Sequence, residues 1–340
     1  MGDEVLVFAP SGGPQSYAGA QIHGVPGVSF PLYPQIRLSP PHPGVGRVLK
    51  RFDPDVIHTV NPFILGTGGV FYARHLGVPL VASYHTNVAT YTRFYKLGFL
   101  EDVARWWTRT LHNRARMNLC TSEATRGYLL REGIKHIRLW PQGVDTRRFH
   151  PEHASEEWRV RLSDGHPEEK ILLFVGRLAP EKGIGRLRAV LREVSGARLA
   201  IVGDGPARKA LEKKFRDTPT VFTGLLTGHD LAAAYASADL FLFPSTTDTL
   251  GMAMIEGLAS GLPVVATRAG AANEVVSEGD NGLLYEPGSD VELVTAVRRI
   301  LEDEALRVSL SRGARAAANE RAWEASTAAL RGYYEEVMNF

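Results

Sequence analysis

Two short segments carry the residue types from which phosphate chemistry is built. In Phe174-Val-Gly-Arg-Leu-Ala-Pro-Glu-Lys-Gly183 an aliphatic run ends at Gly176, and Arg177 and Lys182 then flank a turn shaped by Pro180 and Gly183. Two cations at the carboxyl end of a strand in an open α/β sheet suit a diphosphate, Arg through its planar fork and Lys as a point charge. On spacing alone they serve equally well as surface cations solvating a loop.

The second segment, Pro244-Ser-Thr-Thr-Asp-Thr-Leu-Gly-Met-Ala-Met-Ile-Glu256, follows another apolar run, and a helix is expected to start near Leu250 or Gly251. Free backbone N–H groups at that start, around Thr249, Leu250 and Gly251, would hold phosphate oxygens with help from the helix dipole. Asp248 precedes the start and Glu256 follows eight residues later, which at ~1.5 Å per residue separates the carboxylates by roughly 12 Å. That span suits hydroxyls on either side of a diphosphate. The plainer alternative makes Asp248 an N-cap and Glu256 a solvent-facing helix residue.

Both segments need strands to aim them. Short β-branched and aliphatic runs alternate with amphipathic stretches, the pattern of parallel sheets covered by helices. Strands are expected near Val5–Phe8, Val56–His58, Leu80–His85, Met117–Cys120 and Ile137–Trp140. A second set falls near Ile171–Val175, Leu199–Val202, Val221–Thr223, Leu240–Phe243, Val264–Thr267 and Leu283–Tyr285. Each set suits one doubly wound sheet. The turn-rich stretch Pro141–Pro151 marks the boundary, giving domains of residues 1–142 and 143–320. Residues 321–340 form a helix returning to the first domain, with Trp323, Tyr333 and Tyr334 packing inward.

At 340 residues, 44% hydrophobic and 22% charged, the chain is neither disordered nor fibrous. Its net charge of +2 is too small to argue for nucleic acid, but it is unevenly placed. Residues 1–150 hold 17 Lys and Arg against 9 Asp and Glu, and residues 151–340 hold 22 against 28. A single cysteine, Cys120, leaves no internal disulfide and no thiol cluster for zinc, so a cytoplasmic location is expected. No apolar run approaches the ~18 residues of a membrane span, and the first residues lack the order of a secretory signal.

Taken together, Gly176-Arg177-(x)4-Lys182-Gly183, the carboxylate-x7-Glu256 segment, Val202-Gly-Asp-Gly-Pro206 and Ser260-Gly-Leu-Pro-Val-Val265 resemble glycosyltransferase family 4. The resemblance covers nearly the whole chain. It implies the GT-B architecture, two Rossmann-like α/β domains facing a cleft, and a retaining hexosyl transfer from a nucleotide-sugar co-substrate with no metal or other cofactor. Ser83-Tyr-His-Thr86, Asn118-Leu-Cys-Thr-Ser122, Arg138-Leu-Trp140, Gly143-Val-Asp145 and Tyr235-Ala-Ser-Ala-Asp239 look like the sulfolipid synthases and related glycolipid mannosyltransferases. A lipid acceptor such as diacylglycerol follows from that likeness, though a sugar acceptor stays open.

By the same resemblance, Arg177 and Lys182 face the donor diphosphate, Glu256 the ribose and Asp248 the transferred sugar. His85 faces the sugar from the first domain, where a lone histidine would otherwise read as structural. Gly176, Gly203, Gly224, Thr249, Leu250 and Gly251 line the donor site, and the loop after Gly224 meets the base. The family usually has Glu at position 248, and often Gly-Ile-Pro-Asp where this chain has Ala271-Ala-Asn-Glu274. Val5–Pro10 aligns with what is normally a second strand, so the first strand and its Gly-Gly loop are expected to be missing. Ser11-Gly-Gly-Pro14 follows the wrong strand and reads as a turn.

No metal site is expected: Asp53-Pro-Asp55 mimics an Asp-x-Asp motif but precedes a strand, whereas ligands gather at carboxyl ends. The segment Phe99–Arg116 is helical in period, with Arg105 and Arg109 beside Trp106 and Trp107. It suits either an anionic membrane surface, on the inner face of the plasma membrane, or domain packing with a solvated face. A dehydrogenase is disfavoured because Arg208 stands where a dinucleotide fingerprint needs its third glycine. A shortened chain that binds nucleotide or lipid with weak or no turnover is the alternative function.

Overall fold

The computed structural model describes residues 2–30, 33–86, 99, 101–141, 143–248 and 250–339. They form two compact units, Met1–Trp140 with Ala329–Phe340, and Pro141–Ala328.

In the first unit, β1 (Leu6–Pro10), β2 (Ser16–Tyr17) and β3 (Ala20–Val25) make a sheet of order β1-β3-β2, and β4 (Val28–Phe30) pairs antiparallel with β5 (Tyr33–Leu38). A parallel sheet of order β6-β7-β8-β9 follows, from Ile57–Val60, Leu80–Tyr84, Met117–Cys120 and Ile137–Leu139. Every residue of β7 and β8 is buried, as for inner strands covered on both faces. Alternation splits β7 between them: Leu80 and Ala82 pack with Val45, Leu49, Val70 and Leu111, whereas Val81 packs with Leu119 and Val337.

All the strands expected in this half form, but not in one sheet. β1 finds its parallel partner locally in β3, with Leu6 opposite Gln21 and Pro10 opposite Val25. Strands β2 to β5 were not anticipated because residues 11–42 are interrupted by Gly and Pro and lack a clean apolar alternation. Asp53 ends the Pro43–Phe52 helix in a left-handed conformation, φ 52°, so Asp53 and Asp55 precede β6 as a helix cap and turn.

The second unit holds six parallel strands, β10 (Lys170–Val175), β11 (Ala197–Val202), β12 (Thr220–Gly224), β13 (Leu240–Phe243), β14 (Val264–Thr267) and β15 (Gly282–Tyr285), in the order β12-β11-β10-β13-β14-β15. Ile171 and Leu173 of β10 enter the core on one face, Leu172 and Phe174 the core on the other. The chain winds outward from β10 to β12 on one side and from β13 to β15 on the other. The carboxyl ends of β10 and β13 therefore flank the topological switch point, where ligands of open α/β sheets bind.

The last helix, Trp323–Met338, packs its later residues into the first unit: Val337 is buried and the Tyr333 hydroxyl donates to Leu139 O at 2.6 Å. Trp323 does not pack inward as expected. It is 46% exposed, because the chain enters this helix at a backbone bridge from Val144 to Ala322 rather than through the indole.

Candidate donor-binding site

Arg177 and Lys182 leave the end of β10 through a short 3-10 turn, Pro180–Lys182. Each cation meets a carboxylate. The guanidinium of Arg177 donates to Glu181 Oε1 at 2.5 Å, and the Glu181 side chain is fully buried. Lys182 Nζ donates to Asp248 Oδ1 at 2.5 Å, with both side chains largely buried. The two expected motifs thus meet at the switch point.

The glycines explain how three loop backbones come so near one another. Gly203 has φ 132°, and a Cβ there would lie 2.0 Å from Gly176 O. No larger residue fits this close approach. Gly176 N donates to Val202 O at 3.0 Å and Gly203 N to Gly224 O at 2.8 Å, so the ends of β10, β11 and β12 are tied together.

Beyond β13, Gly251 occupies the N-cap of the Met252–Ala259 helix with φ 68°, and its carbonyl accepts from Met254 N at 2.9 Å and Ile255 N at 3.1 Å. Leu250 precedes it, whereas Thr249 lies outside the described residues. The amides of Met252 and Ala253 begin the helix and have no intrahelical acceptor, as at any helix start. Asp248 is not the N-cap. Its Oδ2 is buried without a hydrogen-bond partner among the described residues, as is Thr247 Oγ1. Buried oxygens of this kind are costly to leave unpaired, and a hydroxylated ligand would satisfy them.

Glu256, in the same helix, is not a solvent-facing residue either. Its Oε2 accepts from the Tyr235 hydroxyl at 3.0 Å. Burial pushes the Glu256 carboxyl up to about 7, against the opposing pull of the Tyr235 hydrogen bond and the Arg148 charge. Tyr235 is itself fully buried, and burial raises its phenol further above the usual range.

His85 belongs to the first unit, directly after β7. Its N–H donates to Asn61 Oδ1 at 2.8 Å, Thr86 N donates to the same oxygen at 3.1 Å, and the ring Nε2 lies 2.9 Å from Ser83 Oγ. Burial lowers its pKa to about 4, so the ring is neutral at pH 7. Ser83, His58, Glu181 and Tyr235 are the supporting residues that sequence reasoning missed. Only Glu181 and Ser83 left a local signal, Glu181 four positions from Arg177 across a proline turn and Ser83 two positions before His85.

The Glu101–His112 helix divides the four residues considered for a membrane face. Trp106 is 53% exposed and Arg109 is exposed. Arg105 instead pairs with Glu101 and, at 3.0 Å, with Glu132, while Trp107 Nε1 donates to Phe63 O at 3.3 Å and its ring packs on the first unit's core. Arg105 and Trp107 thus have hydrogen-bond partners within the first unit. Among the described residues no helix is long and apolar enough to cross a membrane.

Known proteins resemble this chain over nearly its whole length. The chain is 38% identical over 341 residues to sulfoquinovosyl transferase SQD2 of Arabidopsis thaliana, a match covering 97% of this chain and 66% of that protein. It is 40% identical over 346 residues to a GDP-mannose-dependent alpha-mannosyltransferase of Mycolicibacterium smegmatis, covering 99% and 90%. The crystal structure of Anabaena Alr3699/HepE in complex with UDP superposes with a TM-score of 0.79 at 20% identity, over 98% of this chain and all of that one, and shares the GT-B fold. Residues 1–148 match the model described as Glycosyltransferase Family 4 and residues 169–303 the one described as Glycosyl transferases group 1. The chain belongs to glycosyltransferase family 4.

Proposed function

We propose that the protein is a retaining glycosyltransferase that moves a hexose from a UDP- or GDP-linked donor to a membrane lipid such as diacylglycerol. The observation that carries this reading is the meeting of Lys182 with Asp248 at the switch point, beside Arg177 and an open helix start. A diphosphate placed there receives the Arg177 fork, the Lys182 ammonium protons not used by Asp248, and the first helix amides. The two carboxylates hold the cations in place before the donor arrives.

The reaction breaks the bond from the sugar's C1 to the phosphate oxygen, with the electron pair leaving on the diphosphate. The acceptor hydroxyl oxygen bonds to C1 from the same face, and its proton passes to the departing phosphate oxygen. Arg177, Lys182 and the amides stabilise the negative charge that grows there. Asp248 takes sugar hydroxyls through Oδ2 and Glu256 takes the ribose hydroxyls.

Motif likeness to the sulfolipid synthases supports the lipid acceptor. So do the exposed Phe99, Val103 and Trp106, which offer apolar contact for a protein working peripherally on a membrane. The test incubates the full chain with UDP- and GDP-sugars and diacylglycerol vesicles. Products are identified by mass spectrometry and the anomeric linkage by NMR. A lipid product that keeps the donor's anomeric configuration supports the proposal, and an inverted product overturns the retaining mechanism. Nucleotide binding without any product favours the binding-only alternative.

A further inference from the structure

A line of side chains runs from the last helix to His85 inside the first unit. The Tyr334 hydroxyl lies 2.7 Å from His58 Nδ1, His58 Nε2 lies 2.8 Å from Ser83 Oγ, and Ser83 Oγ lies 2.9 Å from His85 Nε2. Trp140 meets both rings edge-on, with centroids 6.0 Å from His58 and 5.9 Å from His85. The helix that presents Tyr334 is pinned on either side of it. Tyr333 bonds Leu139 O at 2.6 Å, Glu336 pairs with Arg138 at 3.1 Å, and Val337 O accepts from Arg116 at 3.1 Å.

Proton counting gives this line a direction. Burial lowers the pKa of both His58 and His85 to about 4, with the His85 charge adding to the effect on His58, so each ring carries one proton at neutral pH. Burial also raises the Tyr334 phenol to about 12, so it keeps its proton. The one hydrogen bond the Tyr334 hydroxyl makes among the described residues is to His58 Nδ1, and donating to it makes that nitrogen the acceptor. His58 then carries its proton on Nε2 and donates to Ser83 Oγ. Ser83 is completely buried, and turning its own proton to His85 Nε2 avoids leaving it unpaired.

We propose that Tyr334, His58 and Ser83 are positioning residues that hold the proton of His85 on Nδ1 by making its Nε2 an acceptor. A histidine's role depends on which nitrogen donates, and a partner on one nitrogen decides it for the other. The last helix would thereby select which nitrogen of His85 carries the proton. The step to catalysis rests on the reading of His85 given above, whereas the tautomer itself does not.

The test is long-range 1H–15N correlation NMR on the full chain with 15N-labelled histidine, the His85 signals being assigned by their loss in His85→Gln. The wild type is expected to show neutral His85 protonated on Nδ1, with a shift toward the Nε2-protonated form in Tyr334→Phe and in Ser83→Ala. A wild-type His85 protonated on Nε2, or a tautomer unmoved in both variants, overturns the proposal. A kinetic arm uses whichever nucleotide sugar turns over. Tyr334→Phe should lower kcat/KM about tenfold while UDP or GDP affinity stays within about twofold, and it should add nothing to His85→Gln. Full turnover by His85→Gln with a tautomer that still responds to Tyr334→Phe supports the relay and overturns only the role given to His85.

Discussion

Lys182 and Asp248 stand 66 positions apart in the chain, yet their side chains meet at 2.5 Å across the ends of two adjacent parallel strands. The pair links the cation motif to the carboxylate motif. It also fixes the ammonium in a largely buried place while leaving one carboxylate oxygen without a hydrogen-bond partner among the described residues.

Replacing Lys182 or Arg177 with alanine should weaken nucleotide binding. Each change removes a charge-assisted contact worth about 1.5 to 3 kcal/mol, or roughly ten- to hundredfold in affinity. Calorimetry with UDP and GDP measures it, and unchanged affinity in both variants would place the diphosphate elsewhere. Asp248→Asn keeps the size but loses the charge, so it should affect turnover more than nucleotide affinity.

Glu181→Ala should weaken nucleotide binding although the carboxylate is buried behind Arg177. Without that anchor the guanidinium samples more rotamers, and ordering it on the ligand then costs entropy. A several-fold loss is expected, partly recovered in Glu181→Gln. Equal affinities for all three proteins would show that Arg177 needs no such support.

The Glu256 carboxyl gives a pH signature. Burial raises it from 4.5 to about 7, so between those values the unfolded chain loses its proton while the folded one keeps it. Stability from this group falls as pH rises through that window and is level above it. Glu256→Gln should therefore raise urea stability relative to wild type at pH 8 and have little such effect at pH 4. An equal difference at the two pH values would mean that the carboxyl is not perturbed.

Histidines in the first unit act in the opposite direction. His58, His85 and His112 are lowered by burial from 6.5 to about 4. Between those values the unfolded chain binds protons that the folded one refuses, so their contribution is full above pH 6.5 and is lost as the pH falls to 4. Hydrogen exchange of first-unit peptides should accelerate over this range, with an uptake approaching about three protons on opening. Exchange that does not change between pH 6.5 and 4, after correction for intrinsic rates, would contradict the burial of these rings.

What was legible in the sequence was local. Runs such as Ile171–Val175 and Leu240–Phe243 announce buried parallel strands because both of their faces must be apolar, and each was found in place. Arg177, Lys182 and Asp248 stood out because charged residues soon after such strands have little packing reason to be there, and Glu256 by its spacing of eight residues from Asp248. Residues 16–38 were not legible because their strands are short and partly exposed, so pairing rather than periodicity defines them.

The sequence by itself determined the apolar parallel strands, the glycines that let loops touch and the charged residues at strand ends, since these follow from neighbours in the chain. Only the tertiary structure decided what holds those residues. Tyr235 reaches Glu256 across 21 positions, and Tyr334 reaches His58 across 276. Such partners carry no spacing rule, because a hydrogen bond depends on where two side chains end up in space, and packing of separate helices and strands sets that position.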